Sequence, residues 1–144
     1  MKMKVMLDPG AKMPTRAHEL DAGYDLYSPI KTVLPVQSAL TDGSACIDTG
    51  VHVQIPAGYV GFLKSKSGLN VKNSVQSEGV IDSGYTGSIM VKLYNHGRQP
   101  VRIEKGQKIS QLVLLPIITP DLELVDGLEE TERGESGFGS TGAF

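Results

Sequence analysis

Apolar and polar positions alternate along much of this chain, and that alternation predicts strands. Met1, Met3, Val5 and Leu7 set against Lys2, Lys4 and Met6 mark a first strand. A loop rich in Pro, Gly and charge runs from Asp8 to Ala22, and Tyr24 to Tyr27 reads as a short strand stopped by Pro29. Ala45 to Ile55 alternates clearly, with Ile47, Val51, Val53 and Ile55 on one face and Asp48, His52 and Gln54 on the other. Pro56-Ala57-Gly58 is a turn into a strand from Tyr59 to Lys64. Ser88 to Asn95 and Val101 to Glu104 read as a pair joined by turn residues 95–100. Ile109 to Ile118 is a near-continuous apolar run, which predicts a strand buried on both faces. Leu122 and Leu124 alternate with Asp121 and Glu123 in an expected final strand. No window has convincing 3.6-residue periodicity, although one short helix or turn fits within residues 69–77. Many short strands with regular turn signals predict an all-β sandwich or barrel.

One stretch combines structure with chemistry. Gly79 to Gly87 reads GVIDSGYTG: an apolar pair, a carboxylate, two small residues, an aromatic and a glycine, before a strand resumes at Ser88. This predicts a β-hairpin with an acid, Asp82, and a ring, Tyr85, at its tip. The glycines at 79, 84 and 87 allow conformations or close approaches that a Cβ would block. A tight turn with a solvated Asp has the same composition, so this stretch alone does not define a site.

Bulk properties narrow the class. With 144 residues the chain suggests one domain, and 40% hydrophobic against 21% charged residues is a globular balance. A net charge of −2 argues against a general nucleic-acid binder. The single cysteine, Cys46, permits neither an intrachain disulfide nor a Cys-based zinc site, so a reducing compartment such as the cytoplasm is expected. Its alternating context predicts a buried small hydrophobe. No apolar run approaches the ~20 residues of a membrane span, and the lysine-bearing N-terminus has no apolar signal-peptide core. Beyond Asp126 the composition shifts to Gly, Glu, Ser and Thr, which predicts a body over 1–126 and a mobile arm over 127–144.

Four further stretches have the components of a site. Asp21 to Leu26 (DAGYDL) places two carboxylates around a glycine. Ser65-Lys66-Ser67-Gly68-Leu69 offers a cation, hydroxyls and backbone N–H groups, the parts of a phosphate nest. Gly106 to Gln111 (GQKISQ) supplies a turn and side-chain amides. Arg133 to Gly142 (RGESGFGSTG) has an arginine for phosphate, a Phe for stacking and hydroxyls for hydrogen bonds. The P-loop pattern GxxxxGK[ST] is absent.

In this order and spacing, DAGYDL, KSGL, GVIDSGYTG, GQKISQL and RGESGFGSTG resemble the five motifs of the trimeric dUTP diphosphatase (dUTPase) family, from Asp21 to the C-terminus. The resemblance implies a distorted β-barrel or jelly-roll subunit in a homotrimer whose active sites are shared between subunits. It implies hydrolysis of dUTP to dUMP and pyrophosphate, which keeps uracil out of DNA and supplies dUMP for thymidylate. By similarity, Asp82 is the general base that deprotonates a water attacking the α-phosphorus. Tyr85 packs under the sugar and excludes a ribose hydroxyl, while the backbone of Val80, Ile81 and Met90 reads uracil. Gln76 takes the place of an Asn that helps read the base in many relatives. Lys66, Ser67, Gly68 and Gln111 contact phosphates. Asp25 orients Mg²⁺ through water. Phe138 stacks on uracil as the arm closes, with Arg133, Gly139, Ser140 and Thr141 binding the γ-phosphate end.

The sequence departs from the family pattern in places. Lys66 replaces the usual Arg and lacks its fork. Gly84 and Ser88 replace residues that are often acidic, and Glu135-Ser136 replaces a more glycine-rich pair. Two other readings stay open: a dCTP deaminase-like enzyme of the same fold, for which the stretch 88–95 lacks a carboxylate, and a dUTP-gated regulatory binding protein. His18, His52 and His96 match none of the motifs and read as surface or loop residues.

Overall fold

A computed structural model describes residues 2–137 as an all-β fold with one short helix. The strands are β1 (Lys4–Leu7), β2 (Gly23–Tyr27), β3 (Thr32–Leu34), β4 (Gln37–Ser38), β5 (Thr41–Asp42), β6 (Ser44–Gln54), β7 (Tyr59–Ser65), β8 (Val75–Ile81), β9 (Ser88–Asn95), β10 (Val101–Ile103) and β11 (Lys108–Pro116). The helix, α1 (Ser67–Asn73), lies between β7 and β8 and ends at Ser74 in a left-handed conformation. Seven strands form one antiparallel sheet in the order β1-β6-β9-β8-β7-β11-β2, with β10-β3 and β4-β5 as two small sheets.

Alternation sets the core. In β9, Ile89, Val91 and Leu93 are fully buried while Met90 and Tyr94 face out. Ile47, Val51, Val53 and Ile55 pack against them from β6, Leu63 from β7, and Ile109 and Leu112 from β11. Burying each such side chain contributes about 1.5–3 kcal/mol, and truncating Ile89 or Leu93 to Ala is expected to cost roughly 2–5 kcal/mol.

β6 is not one regular strand. Its pairing with β9 jumps from Asp48↔Met90 to His52↔Ser88. Gly50, at φ +64°, makes the bulge, and a Cβ there would lie 2.9 Å from the Ala11 Cβ. Thr49 is turned inward and its hydroxyl donates to the Ile89 carbonyl at 2.7 Å. The bulge therefore lies beside the first residues of β9, next to the 82–87 turn.

Several expectations are corrected. β10 pairs with β3, not β9; the turn at 96–100 redirects the chain, with the Asn95 side-chain amide donating to the Pro35 and Gln99 carbonyls. The run 109–118 is buried only in its first half: Leu115, Ile117 and Ile118 are exposed. Residues 121–124 form no strand, and Leu122 and Leu124 are fully exposed. Periodicity marks a face but does not supply a neighbouring strand, and no described segment pairs here. Cys46 is exposed, because the face of β6 that it shares with Asp48 points outward. Among the described residues, no helix is long and apolar enough to cross a membrane.

Candidate active site

The motif residues form two clusters along β7. The first lies at its C-terminal end. β11 runs between β2 and β7, and the register sets Gln111 opposite Asp25 on one side and Lys64 on the other. Gly23 leaves room for the Gln111 side chain, since a Cβ there would meet Oε1 at 2.5 Å. Gln111 Nε2 donates to the Ser65 carbonyl at 3.1 Å. The chain then turns at Lys66 into α1, whose first turn has no side-chain cap. Ser67 and Gly68 are exposed there.

Asp25 is buried and both its oxygens are occupied: Lys66 Nζ lies 2.5 Å from Oδ1 and Lys108 Nζ 2.6 Å from Oδ2. Burial alone would raise the Asp25 pKa, but the hydrogen bonds and charges of Lys108 and Lys66 outweigh it and hold the carboxyl below its ordinary value. The same contact raises the Lys108 ammonium. One carboxylate between two ammonium groups leaves the cluster at −1 + 2 = +1. Lys108 was not singled out from the sequence. Its position next to the turn 106–107 does not disclose a partner 83 positions away in the chain, the residue-number difference between Lys108 and Asp25.

The second cluster is the hairpin. β8 pairs with β9 only over Val75–Ser77; over Glu78–Ile81 it pairs with β7 instead. Beyond Ser77 the two hairpin strands separate, and the β8 edge that faces β9 is unpaired. The gap holds a cavity of about 260 Å³ lined by Leu63, Gly79, Val80, Ile81, Asp82, Tyr85 and Met90. Drug-sized ligands occupy roughly 300–1,000 Å³, so this cleft suits a single ring. Asp82 is exposed at its mouth, and its carbonyl accepts from the Tyr85 N–H at 3.0 Å to close the turn. The Tyr85 hydroxyl donates to the Ser88 carbonyl at 2.8 Å. The ring lies over Gly87, where a Cβ would meet the hydroxyl oxygen at 2.5 Å. A Cβ at Gly79 would lie 3.1 Å from Leu63 Cδ1, whereas one at Gly84 would meet no atom within 4 Å.

Gln76 lies outside this cavity. It pairs with Tyr94 at the closed end of the hairpin, and its Oε1 is 3.1 Å from His96 Nε2. Arg133 closes a local turn, its Nε donating to the Ser136 carbonyl at 3.1 Å. Phe138, Gly139, Ser140 and Thr141 lie outside the described residues. Side chains to which the sequence assigned no role at the site support the tip: Ser88 Oγ donates to Asp48, and His52 bridges the Thr86 carbonyl and Asp8. The Ser88 hydroxyl, then the Gly50 N–H, hold Asp48 below the ordinary carboxylate value.

The family described as dUTPase matches residues 10–142. The deoxyuridine 5′-triphosphate nucleotidohydrolase of Clostridium tetani is 41% identical over 99% of this chain and 96% of its own. That of Rattus norvegicus is 40% identical over 96% of this chain and 65% of its own. The dUTPase of Staphylococcus bacteriophage 80alpha, solved with dUpNHpp, superposes with a TM-score of 0.85 at 38% identity, covering 98% of each chain. The dUTPase of phage phi11 of S. aureus, solved as an aspartate-to-asparagine mutant with a structural Mg(II) ion, gives a TM-score of 0.79 at 34% identity, over 90% of this chain and 100% of that one.

Proposed function

This chain belongs to the dUTPase family, and from that premise we propose that it is a dUTP diphosphatase, hydrolysing dUTP to dUMP and pyrophosphate. The observation that carries the reading is the opened hairpin: a ring-sized cleft with free backbone on one wall, Tyr85 on another and Asp82 at the mouth. Uracil pairs with the β8 backbone at Val80 and Ile81 and with the backbone at Met90. Tyr85 packs under the deoxyribose, where a ribose hydroxyl would collide with its ring. Asp82 takes the proton of the water that attacks the α-phosphorus; a general base of this kind is worth about 10²–10⁴-fold.

The phosphates fall to the other cluster. Lys66, Ser67 and Gly68 offer a cation, a hydroxyl and uncapped N–H groups, with Gln111 behind them. Lys66 lies five residues beyond Gly61, the partner of Ile81 in the cleft wall, or ~16 Å along an extended strand. That separation supports a site completed by the phosphate loop of another copy, and so a homotrimer with shared sites. Ile118, Leu122, Leu124 and Leu128 are almost fully exposed, which supports an arm that packs on a neighbouring copy. In this reading residues 127–144 close the site, Phe138 stacks on uracil, and Arg133, Gly139, Ser140 and Thr141 meet the γ-phosphate. Base stacking of this kind contributes roughly 1–3 kcal/mol.

Mg²⁺ is the proposed cofactor. A hard cation takes oxygen ligands and keeps waters. Among the described residues no group of three or more His, Cys, Asp or Glu could hold a metal, and both Asp25 oxygens already hold lysines. The residues present therefore fit an ion that would be carried mainly by the triphosphate and its own waters better than an ion held directly by Asp25. When bound, Mg²⁺ neutralises charge on the phosphates. The proposed compartment is the cytoplasm, in keeping with a single unpaired cysteine.

The test is pyrophosphate release from dUTP beside dTTP, dCTP and UTP, with Mg²⁺ and then with EDTA. Release from dUTP alone, lost in EDTA, is the expected result. Ammonia released from dCTP would move the reading to a deaminase, and dUTP binding without turnover would move it to a nucleotide-gated regulatory role.

A further inference from the structure

His52 stands in β6 just past the bulge, with its side chain only 17% exposed. Its two ring nitrogens face two acceptors. Nδ1 lies 2.9 Å from the Thr86 carbonyl, and Nε2 lies 3.2 Å from Asp8 Oδ2. Asp8 is itself fixed, its N–H donating to the Gly50 carbonyl at 2.8 Å. Thr86 is the residue between Tyr85 and Gly87 at the hairpin tip. The imidazole thus ties the tip to the body of the sheet from outside the cleft.

We propose that His52 is a positioning residue whose doubly donating form clamps the 82–88 turn, and with it Tyr85 and Asp82, in the conformation that forms the base cleft. Only the imidazolium has N–H groups on both nitrogens. The neutral ring satisfies one acceptor and turns a lone pair toward the other, so the clamp is halved when the proton leaves. The proposal rests on the reading of the cleft as the nucleotide site.

The charged groups around the ring come from three elements. Asp8 follows β1 and contacts Nε2. Asp48, on β6, is held by the Ser88 hydroxyl and the Gly50 N–H. Lys4, on β1, lines the same surface cavity as His52 and Thr86; the turn itself contributes the uncharged Thr86 carbonyl. The Thr86 hydrogen bond first, then that to Asp8, raises the imidazole above its ordinary value. The sign follows: the clamp is complete at lower pH and loosens as pH rises through a midpoint above the usual ~6.5 of imidazole.

Two measurements on the full chain test this. Amide hydrogen exchange at residues 86–88, in protein without nucleotide, is followed from about pH 5 to about pH 9 beside the titration of the His52 ring by NMR. After correction for intrinsic exchange, protection at the tip should fall with the same midpoint as the ring. It should be low and pH-independent in His52→Ala, and its midpoint should move down in Asp8→Asn. In the second measurement, the KM for dUTP should rise about three- to tenfold across that midpoint in the parent, with kcat changing less, and stay flat in His52→Gln. Parent-like pH profiles in His52→Gln, or tip protection indifferent to the ring's titration, would overturn the clamp. A parent that turns over no dUTP would instead defeat the nucleotide reading, while the exchange data would still judge the clamp.

Discussion

The two clusters on β7 are held in opposite ways. At the Asp25 end, a buried carboxylate is clasped by two lysines, and Gln111, Ser65, Ser77 and Ser110 close a hydrogen-bonded layer beneath it. At the hairpin end, Asp82, Tyr85 and Thr86 are exposed, and a few single hydrogen bonds from Ser88, Asp48 and His52 hold the turn. The first cluster is rigid because leaving a buried carboxylate unpaired is costly. The second is open because its strands part, and that parting is what makes room for a base. Under the proposed function, a fixed phosphate cradle and an open base cleft have separate tasks, met at one nucleotide by clusters from different copies.

The contrast predicts that substitutions at the tip change activity at little cost in stability, whereas removing the buried Asp25 carboxylate changes stability. The largest expected effect is Asp82→Asn. Loss of the base should reduce pyrophosphate release about 10²–10⁴-fold, with the melting temperature unchanged because the side chain is exposed. Parent-like turnover in this variant would remove Asp82 from the mechanism.

Next comes Asp25→Asn. Two ammonium groups lose their shared partner, but both lysines can reach water, so the cost is about 1–3 kcal/mol. For a chain of this size that lowers Tm by roughly 3–10 °C. The pH dependence sharpens the point. The Asp25 pKa is lowered on folding, so its stabilisation is present above the ordinary carboxylate value and is lost as pH falls through the depressed one. The Tm gap between parent and variant, measured by calorimetry, should shrink on acidification below about pH 3.9. A gap that widens in acid would contradict the ion-pair account.

Gly87→Ala should act on the cleft alone. Its Cβ would displace the Tyr85 ring, an exposed group that can move. The expected result is a KM for dUTP raised about tenfold, equal to about 1.4 kcal/mol, with little loss of Tm. The smallest effect is Gly84→Ala, where no atom lies within 4 Å of the added carbon. Stability and KM should both stay within about 0.5 kcal/mol of the parent. Equal effects at 84 and 87 would mean that the ring's contact with Gly87 does not shape the cleft.

Much of this was legible in the chain and some was not. The 88–95 strand and the 79–87 hairpin tip follow from alternation and turn residues, which are local properties. The five motifs identify the chemistry because residue type and order survive without coordinates. Sequence proximity favours a hairpin between Val101 to Glu104 and β9, whereas the structure pairs that strand with β3. The two lysines on Asp25 are not legible in the chain: Lys66 stands at the start of α1 and Lys108 at the start of β11, and nothing local to Asp25 reports them. His52 matched no motif, yet the β6 bulge brings it against the Thr86 carbonyl.

By itself, then, the sequence determined the longer alternating strands, such as those over 44–54 and 88–95, the faces that they bury and the family motifs that point to nucleotide chemistry. These depend on side-chain period, turn chemistry and residue order, all encoded over short spans. The tertiary structure alone decided where β8 leaves β9 for β7, which carboxylate is neutralised and which histidine holds the tip. Those depend on strand order and register, where groups tens of residues apart meet and compete for the same hydrogen bonds.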